Sequence, residues 1–243
     1  MELIIKKSYE EVSKEATEIF IEFLQKNPQA VLGLATGSTP LGLYGELIKA
    51  FKEGIIDFSE VKTFNLDEYV GLTLEQENSY RFYMESNLFN HINIKNENWQ
   101  VPSGLEKDYD LYCAEYEKMI ELAGGIDLLL LGVGENGHIA FNEPSTRLHS
   151  TTHIIDLSEE TIKVNSRFFS KIDEVPKQAI TMGMGTIMKA RKIVLLITGA
   201  KKSNVVNKLI NDPYITTEFP VSFLLAHRDV TIIVDEEAYG LST

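Results

Sequence analysis

Short β-rich apolar runs alternate with stretches of helical period along the whole chain, and this alternation constrains the fold more than any other feature. The runs are Ala30–Ala35, Val61–Leu66, Ile126–Val133, Ala179–Met182, Ile193–Thr198 and Val230–Val234, most of them bounded by Gly, Asn or Asp. Between them the spacing predicts helices at about Tyr9–Gln25, Pro40–Lys52, Ser79–Asn90, Asp108–Ala123, Glu159–Phe169 and Lys201–Ile210. Ser8 and Glu11 ahead of the first helix have capping-box spacing, in which each side chain satisfies an orphan amide of the other. Strands separated by helices pair in parallel through crossover connections. The expected fold is therefore α/β: a doubly wound, mostly parallel sheet with helices on both faces, Rossmann-like and three-layered. No Pro/Ser/Gly-rich linker, low-complexity tract or repeat interrupts the pattern, so residues 1–243 are expected to form a single domain.

Charge narrows the classes of partner. With 36 acidic against 23 basic residues the net charge is −13. No Lys/Arg-rich run is present to neutralise phosphates, so neither nucleic acid nor an anionic membrane is an expected partner. Cys113 is the only cysteine, which leaves no intramolecular disulfide and no Cys-rich metal site. The N-terminus lacks signal-peptide order, and the apolar stretches fall short of the roughly 20 residues that span a bilayer. A soluble, cytoplasmic protein is expected.

In open parallel sheets ligands bind beyond the carboxyl ends of the strands, so the loops there carry the candidate chemistry. Thr36-Gly37-Ser38-Thr39 leaves an apolar run and enters a helix, with Thr39 as expected N-cap and Pro40 as first helical residue. Its amides and hydroxyls, at a positive helix end, suit a phosphate. Asp67 and Glu68 are adjacent acids at the end of another run, a setting that raises a carboxyl pKa and makes Asp67 a candidate general base. In Gly132–Pro144, three closely spaced glycines surround His138, with Asn136 and Glu143 near it in sequence, an arrangement suited to proton transfer. Arg167 and Lys202 are candidate phosphate ligands if they converge on the Thr36–Thr39 loop. His149 and His153 lie four apart without an obvious third ligand, so no metal site is expected. Tyr112, Tyr116, Met119, Ile120 and Ala123, with Cys113 beside them, read as the core face of a helix.

Five motifs, in order along nearly the whole chain, resemble the glucosamine-6-phosphate deaminase family. They are Leu34–Pro40, Phe64–Leu72, Gly132–Pro144, Asn165–Phe169 and the Gly199–Lys202 turn, of which the third is the most specific. The resemblance implies a cofactor-independent isomerisation with deamination, giving fructose 6-phosphate and ammonia from glucosamine 6-phosphate and water. It implies that His138, oriented by Asn136 and Glu143, opens the sugar ring and that Asp67 is the enolisation base. Thr36, Gly37, Ser38, Thr39, Arg167 and Lys202 are then left to bind substrate. Two departures stand out. Asn136 replaces an Asp found in many relatives, and His153 and Ile155 occupy positions that are basic in regulated members. A hyperbolic response to substrate is therefore expected, from a monomer or a homo-oligomer other than the regulated hexamer. Two rivals are 6-phosphogluconolactonase, which favours Arg where this chain has Tyr69, and a sugar-phosphate-binding regulator, which would need a DNA-binding extension.

Overall fold

The segments Val31–Leu34 and Leu128–Leu131 carry no polar side chain because both faces of the strands they form are covered. In the computed structural model, which describes residues 1–243 apart from Leu74, Arg167, Phe168, Ser242, Thr243 and the side chains of Glu160 and Val164, odd and even residues of one strand enter different cores. Strand β6 (Leu128–Leu131) sends Leu128 and Leu130 to one side and Leu129 and Leu131 to the other. The first side is packed by α1 (Tyr9–Lys26) and α2 (Leu41–Lys52), through residues such as Phe20 and Leu47. The second is packed by α4 (Tyr109–Leu122) and α7 (Ser203–Asn211), through Tyr116, Ile120, Val206 and Leu209. Burying such a side chain contributes roughly 1.5–3 kcal/mol, so two covered faces supply most of the driving force. This is the expected three-layer arrangement.

The main sheet has seven strands, all parallel, in the order β1 (Glu2–Lys6), β10 (Val230–Asp235), β9 (Lys192–Ile197), β6, β2 (Val31–Leu34), β3 (Lys62–Asn65) and β5 (Trp99–Gln100). Both edge strands escape sequence reading. β1 is half exposed and mixes charged with apolar residues, and β5 has only two residues.

One predicted strand belongs elsewhere. The run Ala179–Met182 corresponds to β8 (Gln178–Thr181), which pairs antiparallel with β4 (Asp67–Tyr69) and β7 (His153–Asp156) in a separate three-stranded sheet. A short buried apolar run looks the same in either sheet, because periodicity reports burial and not partner. Two strands of this small sheet, β7 and β8, lie with α5 (Glu159–Asn165) between β6 and β9 in chain order, whereas β4 directly follows β3.

Two caps also differ from expectation. Thr39 does not cap α2; Pro40 holds the N-cap position without a side-chain bond. Ser8 does accept from the Glu11 amide, but the Glu11 carboxylate reaches back one residue further, to the Lys7 amide at 3.1 Å.

Candidate active site

β2 and β6 are neighbours, yet the chain continues from β2 toward β3 and from β6 toward β9 on the opposite side. The two loops therefore diverge above their carboxyl ends and leave a crevice. A cavity of about 460 Å³ lies there, and it gathers Thr36–Thr39, Asp67, Asn136, His138 and Lys202 from four separate segments of the chain. Thr161 and Asn165 of α5 line it as well.

The first loop is held from behind by three tyrosines. Tyr44 donates to the carbonyl of Ala35 at 2.5 Å, Tyr83 to that of Gly37 at 2.6 Å, and Tyr9 to that of Ser38 at 3.1 Å. With these carbonyls tied back, the Thr36–Thr39 amides have no protein acceptor among the described residues. Unpaired amides at a helix start form a site for an anion. The tyrosines come from α1, α2 and α3 (Tyr80–Asn87), far from the loop in sequence except for Tyr44, so no local signal reveals them.

The His loop is shaped by close approach. The His138 ring lies so near Gly134 that a Cβ there would sit 2.1 Å from its Cε1, and glycine is required. Asn136 Oδ1 accepts from the His138 amide at 3.1 Å and faces Nδ1 at 2.8 Å. The amide group of Asn136 donates to Glu143 Oε2 at 2.7 Å, while Glu143 Oε1 lies 3.3 Å from Nδ1. These partners assign the ring proton to Nδ1 and leave Nε2 as the basic nitrogen. Burial pushes the Glu143 carboxyl up, but the hydrogen bond and charge of His138, with hydrogen bonds from Thr161 and Asn136, outweigh it and hold the group at about 2. Glu143 is therefore a standing negative charge behind the imidazole. Ala140, two residues on, lines the same cavity at φ 53°, a strained conformation for a residue with a Cβ.

Asp67 and Glu68 point opposite ways because they are consecutive in a strand. Asp67, 8% exposed, opens onto the cavity. Burial, and secondarily the charge of Glu68, push its carboxyl up to about 8. Glu68 turns inward and accepts from the amides of Tyr69, Tyr80 and Arg81 at 2.8 to 2.9 Å, fixing the start of α3. The acid pair thus divides into an open carboxyl and a structural one.

Lys202 lines the cavity in the turn after β9. That turn is anchored by Gly199, at φ 88°, whose amide donates to both oxygens of Asp235 at 2.9 and 3.0 Å. Asp235 also caps α8 (Glu236–Tyr239), and it too was invisible as a site-shaping residue because it ends an ordinary strand. Arg167 lies outside the described residues. His149 and His153 stack face to face with ring centroids 4.0 Å apart, and His153 Nδ1 lies 2.9 Å from the carbonyl of Thr151. Tyr116 and Ile120 are buried on α4, as the stripe implied.

Fold and site together define a parallel-sheet protein whose switch-point crevice is lined by a loop of unpaired amides, by Asp67 and by His138. The chain belongs to the family described as glucosamine-6-phosphate isomerases/6-phosphogluconolactonase, whose pattern matches residues 6–233. It is 52% identical over 241 residues to the glucosamine-6-phosphate deaminase of Thermoanaerobacter sp. (strain X514), covering 99% of this chain and 95% of that one. A solved monomeric glucosamine-6-phosphate deaminase superposes with a TM-score of 0.96 at 43% identity, over 100% of both chains. The 6-phosphogluconolactonase of Trypanosoma cruzi, at 22% identity and a TM-score of 0.76 over 100% of this chain and 97% of that one, shares the fold.

Proposed function

We infer that this chain is an enzyme converting glucosamine 6-phosphate and water to fructose 6-phosphate and ammonia, a step of amino-sugar catabolism. The observation that carries this reading is that Asp67 and His138, the latter backed by Glu143, line one cavity beside an unpaired amide loop. A hydrolysis of a lactone needs no base of its own for carbon; an amino-aldose needs two separate proton-transfer groups.

The steps follow from the chemistry. The phosphate is held by Thr36, Gly37, Ser38 and Thr39, with Lys202 and Arg167 supplying positive charge. Nε2 of His138 takes the proton of the anomeric hydroxyl and delivers a proton to the ring oxygen, opening the ring. The transient imidazolium is stabilised through Nδ1 by Glu143, and Asn136 keeps the ring in register. Asp67 then removes the C2 proton, and the carbonyl oxygen at C1 is protonated to become a hydroxyl. Return of the proton to C1 leaves an imine at C2, which water hydrolyses with loss of ammonia. Each step moves protons without net oxidation, so no redox group is called for. General base catalysis supplies roughly 10²–10⁴-fold, and holding the open chain by its phosphate contributes much of the rest.

The whole chain is read as one domain, since the three-stranded sheet packs only a small cluster of its own around Tyr69, Phe141 and Leu157. A monomer is the favoured state, supported by the likeness to the solved monomeric enzyme. The test is ammonia release from glucosamine 6-phosphate by the purified protein, run beside hydrolysis of 6-phosphogluconolactone. Ammonia with little lactone hydrolysis is expected; lactone hydrolysis without ammonia would overturn the reading.

A further inference from the structure

Thr161 of α5 touches the proton-transfer pair. Thr161, 7% exposed, places its Oγ1 2.5 Å from Glu143 Oε1, the oxygen that also faces His138 Nδ1. Thr161 is also bonded to Ser158, the N-cap of α5. The Ser158 hydroxyl lies 3.0 Å from Thr161 Oγ1, and the same oxygen accepts from the Thr161 amide at 3.1 Å. Glu143 is ionised and can only accept, so the Thr161 proton goes to Glu143 and the Ser158 proton to Thr161. The result is a directed relay, Ser158 to Thr161 to Glu143 to His138. Thr161 and Asn165, one helical turn apart, both line the cavity, so the same face of α5 that meets the ligand also holds the carboxylate.

We propose that Thr161 is a positioning residue for ring opening: its hydroxyl fixes the Glu143 carboxylate against His138 Nδ1 and makes the docked position of α5 a condition for proton transfer. Without it Glu143 keeps one neutral partner, Asn136, and its Oε1 is free to swing away from the imidazole. This inference rests on the proposed function, because it concerns the ring-opening step of that reaction. A role confined to the helix cap is the competing account, since Thr161 sits at the third helical position of a Ser158-capped turn.

Thr161→Val keeps the β-branch and the amide that Ser158 caps but removes the hydroxyl, and Thr161→Ser restores it. The readouts are kcat and KM for glucosamine 6-phosphate, and the Kd of an open-chain amino-alditol phosphate, which needs no ring opening. For Thr161→Val, kcat is expected to fall about tenfold to a hundredfold, the range for losing a hydrogen bond to a charged group, with KM and the analogue Kd within about threefold. Thr161→Ser is expected to return kcat to within about threefold of the parent. The proposal is overturned if Thr161→Val keeps kcat within about twofold, if Ser is as impaired as Val, or if analogue affinity falls in step with kcat. Should the valine variant not fold, Thr161→Ala is judged by the same criteria. Failure of the parent protein to release ammonia would instead strike the proposed reaction, a result separate from any difference among the Thr161 variants.

Discussion

Asp67 and Glu68 show how one residue of sequence separates chemistry from scaffolding. Burial first, and the neighbouring acid second, raise Asp67 to about 8; burial also raises Glu68 to about 7 against the pull of three backbone donors. A base with a raised pKa is stronger once ionised, and the free-enzyme pH profile reports it. The kcat/KM profile should therefore rise with pH through a midpoint far above the ordinary carboxylate value of 3.8. Glu68→Gln should move that midpoint down by removing the like charge. It should also cost about 1–3 kcal/mol of stability, because an amide donor then meets the Arg81 N–H. Stability carries a second signature of the pair. The folded state holds protons that the unfolded chain releases, so this contribution is full below about pH 4 and lost as pH rises through the folded values near 7 and 8. Asp67→Asn should flatten the fall in melting temperature across that window, as read by thermal unfolding at several pH values.

At the scale of elements, the loops after strands were legible because apolar runs, breakers and polar residues at fixed places are written locally. Thr36–Thr39, Asp67, the Gly132–Pro144 loop and Lys202 could be named before any geometry, and they meet in one cavity. What was not legible depends on distant partners. The assignment of the run at 179–182 to the small sheet turns on pairing with β4 and β7, and the tyrosine clamps on the first loop come from other helices. Thr161 had a sequence signal, its place in a Ser158 cap, but nothing in that spacing points at Glu143. The His loop offers a direct test of element geometry. Gly134→Ala would put a Cβ into the imidazole, and the ring must shift to accommodate it. A loss of at least about tenfold in kcat is expected, since a displacement near 1 Å at reacting groups can cost far more, while α/β content by circular dichroism stays that of the parent.

For the whole molecule, a net charge of −13 and a phosphate ligand are compatible because charges beyond roughly 8 Å are largely screened at physiological salt. On the proposed reading, the local amide loop and Lys202 decide binding, not the acidic surface. The described residues contain no helix long and apolar enough to cross a membrane. Regulation is a property of the assembled molecule, and here His153 packs on His149 in β7 and the segment before it, with Ile155 further along the same strand. Sedimentation is expected to give a monomer, and the rate curve to remain hyperbolic with or without N-acetylglucosamine 6-phosphate. A hexamer, or a clear drop in half-saturation, would contradict that expectation. The division of labour at the switch point is tested most directly by following ammonia and fructose 6-phosphate together in the parent and in Asp67→Asn, with binding of an open-chain amino-alditol phosphate measured alongside. The parent should form the two products in equal amounts, and the variant should lose turnover by about 10²-fold or more while still binding the analogue. Turnover by Asp67→Asn within about tenfold of the parent would show that another group takes the C2 proton, and the assignment of Asp67 would fail.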